Sequence, residues 1–131
     1  MLDKKGTPDA AEFLTMLLHG VTATHMLHLL RKGPKAYARH IALGELYAGL
    51  SDLTDSLAES YFGCYEFITE YPGIKFPSFD TDTDPVKYVK ELYEYVEDKR
   101  AAMGDESHIQ NQVDEICSLL ATAHYKLRDL G

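Results

Sequence analysis

The chain has no tryptophan and only two cysteines, Cys64 and Cys117. Neither cysteine sits in a CxxC arrangement, so they read as small buried hydrophobes in a reducing compartment. Cations are also scarce. Thirteen Lys and Arg face twenty-one Asp and Glu, a formal net charge of −8. That balance opposes nucleic-acid binding through phosphates and suits a protein that handles cations. The only basic tail is Lys4-Lys5. No apolar run is read as long enough to span a bilayer, and no basic stretch leads into a signal-like run, so a cytoplasmic protein is expected. A glycine-rich phosphate loop, a nucleophile elbow, a zinc-protease motif and a Glu-x-x-His pair are all missing. There is no strand pattern of any weight and no internal repeat.

What is present is helical. At 131 residues the chain has the length of one domain, large enough to bury a core without disulfides. Residues 1–8 form a short polar tail, and residues 9–131 a single bundle domain. Thr7 or Asp9 is placed to cap a first helix running to about Arg31. Phe13, Leu14, Leu17, Leu18, Val21 and Leu27 recur along it at helical spacing. Gly33 and Pro34 end that helix and open the next. The second helix is expected from about Lys35 to Glu70, with Leu43, Leu46, Leu50, Leu53, Leu57, Tyr61, Cys64 and Ile68 on one side. Tyr71 to Asp84 reads as a crossover, its DTDTD run serving turns and caps. A third helix is expected from Pro85 to Met103 and a fourth after a cap at Asp105. The expected fold is all-α, an antiparallel four-helix bundle with a crossover between helices 2 and 3.

The second helix has another face that is not simply charged. Tyr37, His40, Ile41, Gly44, Ala48, Ser51, Asp55, Ala58, Glu59 and Phe62 lie on it, roughly opposite the leucine stripe. Gly44, Ala48 and Ser51 are small and would let another helix approach. A mid-helix glycine costs about 1 kcal/mol against alanine, so Gly44 needs a reason. His28, near the end of helix 1, and His40, early in helix 2, fall at the same level of the hairpin, as two ligands of one ion would. Asp55 and Glu59 are four apart and share a face. Asp55 is fifteen positions beyond His40, roughly 22 Å along a helix, so one chain does not bring all four to one ion. Two copies do. A two-fold axis near Tyr47 and Ala48 would set His40 of one chain beside Asp55 and Glu59 of the other. The bland alternative is a capping, solvated or packed role for each of these residues.

These residues resemble the second-helix signature of the Dps family, the mini-ferritins of the ferritin-like superfamily. That signature has a histidine followed by tryptophan, a glycine, an aromatic residue, a second histidine, an acid four positions later, and then D-x-x-x-E. His28, Gly33, Tyr37, His40, Asp55 and Glu59 fall in its register, and the closing AHYKLRDL is similar to the family's last helix. The resemblance implies a ferritin-like bundle and a homo-oligomer, a two-fold dimer at least and a twelve-subunit shell in many members. It implies iron as the ion, with Zn²⁺ or Mn²⁺ as the other candidates. It also implies Fe²⁺ oxidation by peroxide or O₂, a ferroxidase site with His28 and His40 from one chain and Asp55 and Glu59 from its mate, and ferric storage. Three departures are visible. Leu29 replaces the tryptophan, Gly44 replaces the acid, and the long basic tail that other members use on DNA is absent. A site without that acid is expected to hold its ion more weakly. The alternative is a bundle that keeps the fold and has lost a complete metal site, acting as a structural or interaction protein.

Overall fold

A computed structural model describes residues 2–131 and shows four α-helices, α1 (Pro8–Leu30), α2 (Tyr37–Cys64), α3 (Pro85–Lys99) and α4 (Ser107–Tyr125). Met1 of the expected tail lies outside the described residues. Each helix begins or ends where local chemistry says it should, with instructive exceptions. Thr7 caps α1, its hydroxyl accepting from the Ala10 amide at 3.1 Å, and Pro8 follows in the first turn. Asp84 caps α3 through the Val86 amide at 2.9 Å. Gly33 has a φ of 89°, and Pro34 opens a single 3₁₀ turn, Pro34–Ala36, before α2. A second 3₁₀ turn, Arg100–Met103, leads out of α3, and a π-helical turn, Lys126–Leu130, follows α4.

α1 packs on α2, α2 on α4, α4 on α3, and α3 back on α1. The apolar stripes of all four meet in one core that includes Phe13, Leu17, Leu43, Leu50, Leu57, Tyr61, Val96, Ile116 and Leu120. The leucine stripe of α2 is buried as expected, except that Leu53 is only half-buried. Leu18 was expected inside and is exposed. It sits one position round from Leu17, and the inward face of α1 is already filled by Leu14, Leu17 and Gly20. The two cysteines are free and buried. Burial and a hydrogen bond to the Glu97 carboxylate push the Cys117 thiol up to about 12.

Helix 2 stops at Cys64 rather than near Glu70. The reason lies about sixty positions upstream in the chain. The Lys4 amide donates to the Cys64 carbonyl at 3.0 Å, and the Glu66 amide donates to the Lys4 carbonyl at 2.6 Å. This pairing turns Tyr65 to an extended conformation and ends the helix. The expected loose tail is therefore docked. The Lys4 ammonium reaches the Glu106 carboxylate at 2.7 Å, and the Tyr65 hydroxyl donates to the same carboxylate at 2.7 Å. So Asp105 does not cap α4. Glu106 takes the cap position, and its side chain is spent on Lys4 and Tyr65. The DTDTD run serves turns and a cap, with the Asp82 amide on Asp80 and the Asp80 amide on Thr83.

Lys4 first, then Tyr65, hold the Glu106 carboxylate down at about 2. A carboxylate held low in the folded state stabilises the fold fully above its ordinary value of 4.5 and loses that contribution as pH falls toward about 2. Glu106→Gln is expected to lower the unfolding free energy by about 1–2 kcal/mol at neutral pH. Urea melts of both proteins across that acid window should show the difference shrinking. A difference that stays constant down to the lowest pH would contradict it.

The expectation that no run is long and apolar enough to cross a membrane does not hold for α1. By length and composition it passes that test. Phe13, Leu14, Leu17 and Leu27 of that helix are core residues.

Candidate metal centre

The α1–α2 hairpin brings His28 and His40 together. Their rings stack with centroids 3.8 Å apart and planes 23° from parallel. Each ring also grips the other's backbone. His28 Nδ1 lies 2.6 Å from the His40 carbonyl, and His40 Nδ1 lies 3.0 Å from the His28 carbonyl. A carbonyl only accepts, so each Nδ1 carries a proton, and the neutral tautomer this selects has its lone pair on Nε2. Fixing the tautomer through Nδ1 is the usual way a protein readies an imidazole as a ligand. The clasp also serves the fold. The His28 carbonyl is one of the last four of α1, which have no partner within the helix. It accepts from the Arg31 amide at 3.1 Å and from His40.

Two further side chains surround the pair. His25 stacks on Tyr47 at 3.9 Å and 14°, and the Tyr47 ring is 5.4 Å from that of His28. Spacing puts Tyr47 at the two-fold axis and gives it no part beside the histidines. The signal was there, since Tyr47 is seven positions, two helical turns, after His40 and so shares its face.

Gly44 now has its reason. A Cβ there would lie 3.0 Å from His28 Cε1 and 3.1 Å from His28 Nδ1. The imidazole of the same chain fills the space that was expected to admit a partner helix. That overturns the role given to Gly44 as an opening for a second copy. Any side chain at this position must push back a ring held by a hydrogen bond and a stack. Gly44→Glu would gain about 1 kcal/mol of helix propensity and meet an overpacking cost of about 1–3 kcal/mol. The expected result is a net loss of roughly 1 kcal/mol in a thermal or urea melt. A gain in stability would show that His28 gives way freely.

Asp55 and Glu59 are on α2, exposed, and share a face by their spacing. They are not brought to the histidines. With α2 continuous from Tyr37 to Cys64, Asp55 stays roughly 22 Å from His40 along the axis. Among the described residues no group of three or more His, Cys, Asp and Glu gathers around one point. The other histidines are elsewhere. His19 lies against Phe76, His108 Nε2 is 3.5 Å from Cys64 Sγ, and His124 is half-buried near the end of α4.

A family model described as a family of unknown function, DUF5856, matches residues 33–127, more than two thirds of the chain. The chain belongs to DUF5856. The matched span of DUF5856 opens at Gly33. It takes in His40, Gly44, Asp55 and Glu59 and leaves His28 just outside. No curated protein and no solved structure matches the chain.

Proposed function

We propose that this chain is a Dps-like, ferritin-like iron protein that oxidises Fe²⁺ at a site completed by a second copy. The single supporting observation is the clasp of His28 and His40, two adjacent imidazoles whose Nδ1 protons are committed and whose Nε2 lone pairs are not. In this reading the helices form an antiparallel ferritin-like bundle, with residues 65–84 as the crossover. His28 and His40 supply nitrogen donors, and Asp55 and Glu59 of the mate supply oxygen donors. That mixed set suits Fe²⁺, and also Zn²⁺ or Mn²⁺. The carboxylates neutralise the charge that grows as Fe²⁺ becomes Fe³⁺, and the imidazoles hold the ion's position. Each Fe²⁺ gives up one electron: two ions in succession, with two protons from water, reduce one H₂O₂ to two waters, and with O₂ as the oxidant four ions and four protons yield the same two waters. With Gly44 in place of an acid, the site would hold one ion rather than a bridged pair. The product would be stored as ferric mineral if the copies close into a shell, and the setting would be the cytoplasm.

Fe²⁺ added in air to the metal-free protein, followed by ferric absorbance, tests the reading. Oxidation should outpace protein-free buffer. Equal rates would end it. A second reading has one observation in its favour: among the described residues no third donor joins the two histidines. There the chain is a structural or interaction protein on the same fold, and it purifies as an oligomer without metal.

A further inference from the structure

The end of α1 far from the histidines borders a cleft of about 640 Å³, within the roughly 300–1,000 Å³ of small-ligand sites. One wall comes from residues 5–12, the docked N-terminal segment and the start of α1. The other comes from residues 66–72, which follow α2. Ala11 and Ile68 are buried there and make an apolar floor, while Phe67 lines the cleft and is 72% exposed. The charged groups are nearly all acceptors. Asp9, Glu12, Glu66 and Glu70 are exposed around the cleft. Lys5, its one cation among the described residues, pairs with Glu66 at 3.3 Å. Among the described residues Asp9, Glu12 and Glu70 make no ion pair. The carbonyls of Phe67, Ile68, Thr69 and Glu70 accept no main-chain hydrogen bond among those residues either. The dipole of α1 accounts for Asp9 in its first turn. It does not account for Glu12, a like charge three positions on, or for Glu70, which is outside the helix. Burial first, then the charges of Glu12 and Asp9, raise the Tyr95 phenol above its ordinary value, so the field of both carboxylates is felt beside the cleft.

We propose that this cleft binds a linear aliphatic polyamine, an organic cation whose ammonium groups are separated by methylene chains. It shares no residue with the histidine clasp and does not depend on the iron reading. Among the described residues no three acidic donors converge on one point, so the cleft is not built for a single metal ion. Charges spread along an apolar floor suit a ligand whose own charges are spread along an apolar chain. An ammonium only donates, and here it meets carboxylates and unused carbonyls. The methylenes lie on Ala11 and Ile68, and an ammonium over the exposed Phe67 ring gains cation–π attraction. Asp9, Glu12 and Glu70, unpaired within the chain, supply the charge complementarity.

Isothermal titration calorimetry of the full chain with spermidine, in chelator at about 0.1 M salt, tests this. One saturable site per chain is expected. Glu12→Gln with Glu70→Gln should weaken binding by roughly tenfold, the scale of two partly screened charge contacts. Phe67→Ala should weaken it by roughly threefold through the lost cation–π contact. Asp52→Asn with Glu115→Gln removes the same charge from exposed positions outside the cleft and should change the affinity by less than about twofold. Circular dichroism checks that each variant is folded, and Phe67→Ala decides the matter if the acidic double variant is not. No saturable binding would overturn the proposal. Equal weakening by the two double variants would do the same, because it would show attraction to the net charge of −8 and not to a cleft. Displacement of spermidine by Mg²⁺ at equal charge concentration, or tighter binding of trilysine, would replace the polyamine with a metal ion or a basic peptide.

Discussion

His40→Ala is expected to slow Fe²⁺ oxidation by roughly a hundredfold or more, to the rate of buffer, in a protein that still folds. Alanine removes two things at once. It removes one of the two nitrogen donors of the proposed site, to which this chain adds no third donor among the described residues. It also removes the group that holds the His28 carbonyl and faces the His28 ring at 3.8 Å. His28 is only partly buried and its carbonyl keeps the Arg31 amide, so the stability cost should stay near about 1 kcal/mol. The rate therefore falls far more than the melting temperature. His40→Gln separates the two roles, because its amide N–H₂ still reaches a carbonyl while its donor set no longer matches an imidazole. It should recover stability and leave oxidation slow. A full rate from His40→Ala, measured by ferric absorbance, would remove His40 from the site.

Gly104→Ala is expected to cost about 3–5 kcal/mol of unfolding free energy, the largest stability effect of any single methyl in this chain. Gly104 has φ 89° and ψ 178°, a conformation that L side chains pay about 1–3 kcal/mol to adopt. The added Cβ would also overlap the Tyr65 hydroxyl. That hydroxyl donates to Glu106, and the Tyr65 ring stacks on buried Tyr61 at 4.2 Å. Displacing it breaks a hydrogen bond to a charged group, about 1.5–3 kcal/mol, and loosens the joint of the N-terminal segment, the end of α2 and the start of α4. Tyr65→Phe vacates part of the space, so the two substitutions together should cost less than their sum. Additive effects in urea melts would show that the overlap is relieved some other way.

The helices and most of the core could be read from spacing, because the 3.6-residue period of leucines in α2 and of Ile109, Val113, Ile116 and Leu120 in α4 is set by one buried face each. What could not be read depended on partners distant in the chain. Spacing alone carries helix 2 through to Glu70, since nothing local to Tyr65 announces that Lys4 will pair with it. Asp105 was given a cap because it has the right chemistry at the right place, but Glu106 has Lys4 and Tyr65 to satisfy. Leu18 fits the period and misses the core by one position's rotation, which spacing alone resolves poorly. In the candidate site the meeting of His28 and His40 was legible, as a consequence of a short turn between two helices. Their mutual grip on each other's carbonyls was not. Gly44 was misread for the same reason, because only the His28 ring at 3.0 Å shows what the missing Cβ makes room for. The fifteen-residue gap to Asp55 was legible and survives unchanged, since α2 runs unbroken through it.

One mixing experiment tests most directly whether two chains share an iron site. One variant lacks the nitrogen donors, His28→Ala with His40→Ala, and the other lacks the oxygen donors, Asp55→Asn with Glu59→Gln. Each alone should oxidise Fe²⁺ no faster than buffer. In an equimolar mixture half the dimers are mixed, and each mixed dimer has one intact site of two, so roughly a quarter of the wild-type rate should return. A mixture that stays at the buffer rate, while sedimentation shows mixed dimers, would contradict a site built across two chains.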